Sequence, residues 1–493
     1  MAKTAGSAAL LALPIDERSP TPLFRQVYEA LRRATLTGRL AAGVRLPATR
    51  ALAAELGVSR NTILNAYEQL LAEGYLVGRV GSGTYVAPDL PDDLLEARAR
   101  PAELRPRRHG RLLSRRGARL AATLHPLPTR DGVQRAFRPG VAALDEFPRE
   151  EWMRLVRKRG RQLPWKLLDY GESAGYWPLR EAIAAHVRAA RAVRCEADQI
   201  IIVSGTQQAI DLCARLLLDP GEAAWIEDPG HLGTRYALAG AGIRVIPVAV
   251  DDEGIDVADG IRRCKCARLC CVTPSHQYPL GSTLSLPRRL ALLEWARKAD
   301  AHIIEDDYDS EFRYTGRPLA SLQGQDRDGR VIYVGTFSKA LFPSLRLGYL
   351  IVQPELVSAF ATARALADGH SALLTQAVLA DFISEGHFAR HIRRMRSVYA
   401  ERQEALLRAA KRELSGFVDV APSATGIHLI GWLARDALDR QVSASAARLG
   451  VEAPPLSAYR VRASRRGGLV LGYGGVNPRQ IRDGVRTLAT LAR

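Results

Sequence analysis

The chain has 493 residues, 47% of them hydrophobic, which leaves room for two to four domains with cores of their own. Its formal charge is +18, and residues 1–130 hold twenty lysines and arginines against eleven acids, so the first quarter carries half of the excess and points to a polyanionic partner such as DNA. No apolar run approaches the ~18 residues of a membrane span, and Met1–Pro14 has no convincing cleavage site, so neither a membrane anchor nor an export signal is expected.

Residues 20–88 read as the first domain. Leu23, Val27, Ala30, Leu31, Ala34 and Leu36 recur at helical spacing and Gly38 ends the run. An extended Gly43–Pro47 leads to a second helix at about Thr49–Leu56, and Gly57 makes the turn. Ser59 is a good N-cap for a third helix, Arg60–Glu73. Leu76–Val80 and Thr84–Val86 then form a hairpin around Gly81-Ser-Gly83. Two helices joined at a tight glycine turn and followed by a hairpin describe a winged helix-turn-helix.

The phrases Leu46-Pro-Ala-Thr-Arg50, Leu56-Gly-Val-Ser-Arg60, Tyr67-Glu-Gln-Leu70 and Glu73-Gly-Tyr75 resemble the GntR family of DNA-binding domains over this whole unit. The resemblance implies that the third helix enters the major groove of double-stranded operator DNA, with Ser59, Arg60, Asn61 and Thr62 at its leading end. It also implies that Arg45 and Arg50 hold phosphates and that Arg79 and the Gly81–Gly83 tip form the wing. One position, often basic in that family, is Leu64 here.

Residues 89–130 contain five prolines and no steady period. Nine arginines and one acid, Glu103, lie between Arg98 and Arg119. This stretch reads as a flexible, self-repelling linker, either a solvated tether or an extra non-specific DNA contact.

A second unit, 131–493, opens with an arm containing Phe137-Arg-Pro-Gly140, Phe147 and Trp152. Strands recur near 199–203, 223–226, 243–248, 269–272, 301–304, 331–334 and 347–352. Helices fall between them, one at 180–190. This alternation argues for a mostly parallel, helix-covered α/β sheet over about 166–353. From 354 the pattern turns helical, through Arg396–Leu414. Strands at 426–430 and 468–472 then close a smaller α+β lobe. Four of the six cysteines cluster as Cys264-Lys-Cys266-Ala-Arg-Leu-Cys270-Cys271, a spacing that matches no usual zinc pattern; reduced thiols in a cytoplasm fit better.

Three strand ends carry the chemistry. Val331–Val334 leads through Gly335, Thr336 and Ser338 to Lys339, with Arg346 beyond. A strand through Ile304 leads to Asp306 and Tyr308. The run 199–203 turns through Ser204-Gly205-Thr206 into a helix whose first N–H groups suit a phosphate. Ligands of open α/β sheets lie outside the carboxyl ends of strands, so these groups share one edge. The set matches pyridoxal 5'-phosphate: a lysine for the Schiff base, a carboxylate for the pyridine nitrogen, a phenol for the 3-oxygen, and a helix terminus with serine and arginine for the phosphate.

The Ser-Lys pair followed seven residues on by arginine, with Gly175-Tyr-Trp-Pro-Leu-Arg-Glu-Ala-Ile183 and Thr273-Pro-Ser-His-Gln-Tyr-Pro-Leu-Gly281 in order, resembles fold-type I aminotransferases over about 135–493. The resemblance implies roles. Lys339 carries the Schiff base. Asp306 pairs with the pyridine nitrogen, with Glu305 and Asp307 as competing candidates. Tyr308 reaches the 3-oxygen, and Gly205, Thr206, Gln207, Ser338 and Arg346 hold the phosphate. His231 stands where an aromatic commonly stacks on the ring. Gln277 or His276 stands in for a missing asparagine. Arg460, Arg462 and Arg465 are the candidates for an effector carboxylate.

Both units together resemble the MocR/GabR subfamily of GntR-type regulators. That implies a cytoplasmic homodimer, each winged helix reaching its partner through the linker, that binds operator DNA and senses an amine or amino acid by exchange at Lys339. A working aminotransferase with an appended DNA-binding domain is the alternative.

Overall fold

The structure, a computed structural model, describes residues 15–16, 19–79, 81–90, 113–123, 135–316, 319–434, 437–463 and 466–492. Most of the expected linker, the leading segment 1–14, Val80 and Arg465 lie outside these. The described chain falls into two compact units, dividing at Leu112 and Leu113. No helix among the described residues is long and apolar enough to cross a membrane.

The first unit is a winged helix-turn-helix. Its helices are α1 (Leu23–Leu36), α2 (Thr49–Leu56) and α3 (Arg60–Ala72). Val27, Leu31, Leu52, Ile63, Ala66 and Leu70 pack a shared core. Gly57 closes α2 in a left-handed conformation, φ 68°, which a side chain would resist. Ser59 caps α3, accepting from the Thr62 N–H at 3.1 Å. Strands β1 (Leu76–Arg79) and β2 (Gly83–Val86) pair antiparallel as the wing.

A helix the sequence reading missed, α4 (Arg115–Thr123), opens the second unit. Its arginine-rich sequence hides any period. What holds it is Ser114, whose Oγ accepts from the Gly117 N–H at 2.9 Å, and contact with a later helix, where Leu120 lies over Gly240. Helices α5 (Arg149–Arg161) and α6 (Trp177–Arg191) follow.

All seven expected strands of the large sheet are present. They are β3 (Ile200–Val203), β4 (Ala223–Asp228), β5 (Arg244–Asp251), β7 (Leu269–Val272), β8 (His302–Asp307), β9 (Val331–Thr336) and β10 (Gly348–Ile351), with a short β6 (Gly254–Ile255) added. Helices α7 (Thr206–Leu217), α8 (Leu232–Ala241), α9 (Val257–Cys264) and α10 (Leu286–Ala299) cross between them. The order is β3-β10-β9-β8-β7-β4-β5-β6. Strands β9, β8, β7, β4 and β5 run parallel, while β10 lies antiparallel to both β9 and β3. The central strands are buried along nearly their whole length because helices cover both faces, which is why they read as continuous apolar runs, while β5 toward the edge is only half-buried.

Beyond the large sheet follow α11 (Val357–Asp368), α12 (Leu373–Ser384), the long α13 (His387–Glu413), α14 (Asp439–Arg448) and α15 (Pro478–Ala489); α11 packs on the large sheet, its Phe360 buried with Ile201 and Leu212, while the remainder surrounds a smaller sheet. That antiparallel sheet, β11 (Val418–Val420), β12 (His428–Leu433) and β13 (Gly468–Gly472), gains a strand, β11, that three residues are too short to announce. The arm returns to this sheet: Phe137 is fully buried and bridges Gly472. All six cysteines are free thiols.

Candidate functional site

The carboxyl ends of β3, β4, β7, β8 and β9 surround a cavity of about 300 Å³. Lys339 follows β9 and is half-buried. Its Nζ donates to the Gly140 carbonyl at 2.7 Å, which fixes the amine at the cavity wall. The strand expected to stop near residue 304 continues to Asp307, and this settles which acid faces the cavity. Side chains alternate along a strand. Asp306 lines the cavity. Its neighbours turn the other way: Glu305 accepts from the Leu322 and Gln323 N–H groups at 2.9 and 2.8 Å, and Asp307 accepts from Arg191 Nε at 2.7 Å and the Tyr333 hydroxyl at 2.5 Å.

Burial, then the Asp307 and Glu227 carboxylates, pushes the Asp306 carboxyl up to about 7, against the pull of Lys339. Such a group is costly to ionise alone and is stabilised as an anion by a cationic partner placed against it. The Thr206 hydroxyl approaches it at 3.5 Å. Tyr308 also lines the cavity, its hydroxyl 3.0 Å from His276 Nδ1. The same nitrogen lies 2.9 Å from Asp309 Oδ2, so the buried His276 supports Tyr308 from behind.

The phosphate cradle forms where β3 meets α7. Gly205 takes φ 136°, ψ 177°, which only glycine adopts comfortably, and caps the helix. The first N–H groups of α7 have no intrahelical acceptor. A Cβ on Gly205 would sit 3.7 Å from Arg346 Nη1, so bare backbone and guanidinium face each other across the cradle. Arg346 holds a left-handed φ of 52° at the end of a short turn. The Thr336 hydroxyl donates to Ser338 Oγ at 3.1 Å, and Gln207 turns its amide to the Gly233 carbonyl at 3.0 Å, leaving its backbone at the cavity. A carboxylate, a phenol, an amine and an anion cradle around one flat space fit pyridoxal phosphate.

His231 caps α8, its Nδ1 accepting from the Thr234 N–H at 3.3 Å. Burial, then the Lys339 charge, lowers it to about 4, so it is a neutral ring near pH 7. Gln277 does not line the cavity. Its amide donates to the Glu227 carboxylate at 3.2 Å and to the carbonyls of Pro229 and Tyr278 at 2.9 and 2.8 Å; it braces the wall. Arg462 does not line it either: its Nη1 lies 3.5 Å from Asp259 Oδ2. Nor does Arg460, whose buried Nε has no hydrogen-bond partner among the described residues.

Sequence reasoning missed several lining residues: Gly140, Thr273, Tyr278, Ile427 and His428. Tyr278 and Tyr459 join their hydroxyls at 3.2 Å. His428 Nε2 donates to the Pro279 carbonyl at 2.9 Å, and burial, then His276, lowers it to about 3. A histidine inside the apolar run 426–430 was the available signal.

In the first unit Arg45, Arg50, Ser59, Arg60, Asn61 and Arg79 are exposed, and Thr62 is half-buried. Ser59, Arg60, Asn61 and Thr62 cluster at the α3 N-terminus, where Ser59 Oγ and Thr62 Oγ1 lie 2.9 Å apart. Arg79 stacks over Tyr85 at 4.8 Å on the wing. The Arg45 side chain lies beside Gly83. Leu64 is half-buried.

Residues 145–464 match the aminotransferase class I and II family, and residues 23–86 match the bacterial regulatory proteins, gntR family. The probable rhizopine catabolism regulatory protein MocR of Rhizobium meliloti is 42% identical over 97% of this chain and 95% of its own. The pyridoxine biosynthesis transcriptional regulator PdxR of Corynebacterium glutamicum is 32% identical, covering 94% of each. The solved structure of LysN, an alpha-aminoadipate aminotransferase from Thermus thermophilus complexed with N-(5'-phosphopyridoxyl)-L-leucine, is 28% identical with a TM-score of 0.70, over 77% of this chain and 96% of that one. Pyridoxal phosphate is thus the cofactor of the second unit, DNA the partner of the first, and the chain belongs to the MocR type of GntR-family transcriptional regulators.

Proposed function

We propose that this regulator senses a small primary amine or amino acid at the Lys339 cavity and converts its arrival into a change of operator affinity. The observation that carries the reading is the meeting of Lys339, Asp306, Tyr308 and the Gly205 cradle around one space of about 300 Å³. Bound pyridoxal phosphate supplies an aldehyde that condenses reversibly with a primary amine, and a ring that draws electrons from it. Lys339 Nζ is the chain's own amine for that carbon. When an incoming amine took its place, Lys339 would be held by the Gly140 carbonyl, to which its Nζ donates here at 2.7 Å. Of the lining residues, Asp306 would hold a proton at the pyridine nitrogen, Tyr308 would donate to the ring oxygen, and His231 would offer a neutral ring for stacking. Gly205, Thr206, Gln207, Ser338 and Arg346 bind the phosphate.

Away from the cradle the described lining offers hydroxyl and imidazole groups from Thr273, Tyr278 and His428, and no further guanidinium. This favours amines bearing neutral polar groups over amino acids that need an arginine for their carboxylate. Gln207 and Arg346 are exposed at the phosphate end, where a second subunit would close the site, so the functional unit is a homodimer reading two half-sites in the cytoplasm. Arg60 and Asn61 contact bases, while Arg45, Arg50 and Arg79 contact phosphates. Titrating the cofactor-loaded protein with a panel of amines, followed by visible absorbance, tests the sensor. Lys339→Ala should abolish the response, and an undiminished response in that variant would move the sensing elsewhere.

A further inference from the structure

Asp307, on the opposite face of β8 from Asp306, binds Arg191, and Arg191 lines a second cavity, of about 190 Å³. One water takes about 30 Å³ of liquid, so the space equals roughly six waters, enough for a small metabolite. Its walls come from three stretches far apart in sequence, the end of α6, the chain after β8, and α13. Arg313 follows the end of β8, while Ile392 and Arg396 stand on α13.

The charges around this space do not balance. Arg191 is answered by Asp307. Arg313 is half-buried and among the described residues has no carboxylate partner; burial lowers its pKa, and Arg191 adds to this with its like charge. A guanidinium stays charged regardless, so its desolvation is not offset within the chain. Arg396 donates its Nε to the Glu311 carbonyl at 2.7 Å, which anchors the group at the cavity, and it too has no carboxylate partner there. The one acid that lines the space, Glu311, is pushed up to about 7 by burial and then by Asp307. A carboxyl raised in this way holds its proton more readily and, holding it, donates to an anion. The His186 ring is kept neutral by burial. Two arginines from separate elements, with a carboxylic acid able to donate, form a set suited to a dianion.

We propose that this cavity is a second ligand site, distinct from the cofactor site, for a small dianion carrying a phosphate or two carboxylates, bound between Arg313 and Arg396. Because Arg313 follows β8 and Arg396 stands on α13, the ligand ties that helix to the chain after β8. The test uses cofactor-loaded protein, whose Gly205 cradle is already filled, titrated calorimetrically with inorganic phosphate and, separately, with succinate. The expected result is saturable binding of at least one anion at one site per chain. Arg313→Gln and Arg396→Gln should each weaken it about tenfold or more, the loss of a charge-assisted contact, while Arg408→Gln, at an exposed arginine of α13 that lines neither cavity, leaves it unchanged. Arg396 is exposed on its helix, so Arg396→Gln keeps its fold and carries the test if Arg313→Gln does not. Phosphate binding alone or succinate binding alone assigns the ligand chemistry. No saturable binding of either anion, or unchanged affinity in Arg396→Gln, overturns the proposal.

Discussion

Lys339 Nζ donates to the Gly140 carbonyl at 2.7 Å across 199 residues of sequence. The arm that begins the second unit is therefore part of the site, and glycine is required there. Gly140 holds φ +70°, and a Cβ would lie 2.9 Å from Nζ. Gly140→Ala is predicted to cost about 1 kcal/mol in backbone strain and to displace the amine. Cofactor affinity, read by equilibrium dialysis, should fall about tenfold. Unchanged affinity would mean that Lys339 does not depend on this contact.

Asp306 predicts a pH dependence. Its folded value, about 7, lies above the ordinary carboxyl value, so the folded apoprotein binds a proton that the unfolded chain has released. Between about pH 4 and pH 7 this group's contribution to stability falls as pH rises, by up to ~1.4 kcal/mol per unit. Asp306→Asn removes that slope. Urea unfolding of the two apoproteins at pH 5 and pH 7 should show a larger fall for the unsubstituted chain. Equal falls would show that Asp306 titrates normally.

A neutral His231 predicts that its role is steric. His231→Phe should keep cofactor binding within about threefold, since a ring is retained, while His231→Ala should weaken it by about 1 kcal/mol through the lost stacking. Equal losses in both variants would point instead to the hydrogen bond that caps α8.

The first unit predicts a split among its arginines. Arg60→Ala should cost roughly 1–3 kcal/mol on operator DNA and little on random sequence, whereas Arg50→Ala should weaken both alike. Binding should fall steeply with salt as counterions are released. Fluorescence anisotropy on the two DNAs at two salt concentrations reads all of this. Equal effects of the two substitutions on both DNAs would contradict the assignment.

Much of this was legible because buried strands are short apolar runs and helices punctuate them, so seven strands could be placed before any coordinates. The choice among Glu305, Asp306 and Asp307 was less accessible. It depends on β8 continuing three residues past its last isoleucine, and acids at a strand end look like a loop. Pairing with β9 as far as Gly335 holds them in register. Gln277 misled because sequence order places it beside the site, while the buried Glu227 claims its amide. Helix α4 was invisible because arginines mask its period and a tertiary contact on Gly240 holds it. His428 and Tyr278 enter the cavity from segments far apart in sequence, which only the tertiary fold brings together.

In the proposed sensor, effector amine and operator DNA act on one equilibrium. Each must then change the other's affinity by the same factor, with a coupling of typically ~1–3 kcal/mol. The most direct measurement is titration of the cofactor-loaded protein with its effector amine, by visible absorbance, with and without saturating operator. Two separated curves are expected, with a ratio of midpoints equal to the ratio of operator affinities measured with and without amine. Superimposed curves would contradict it.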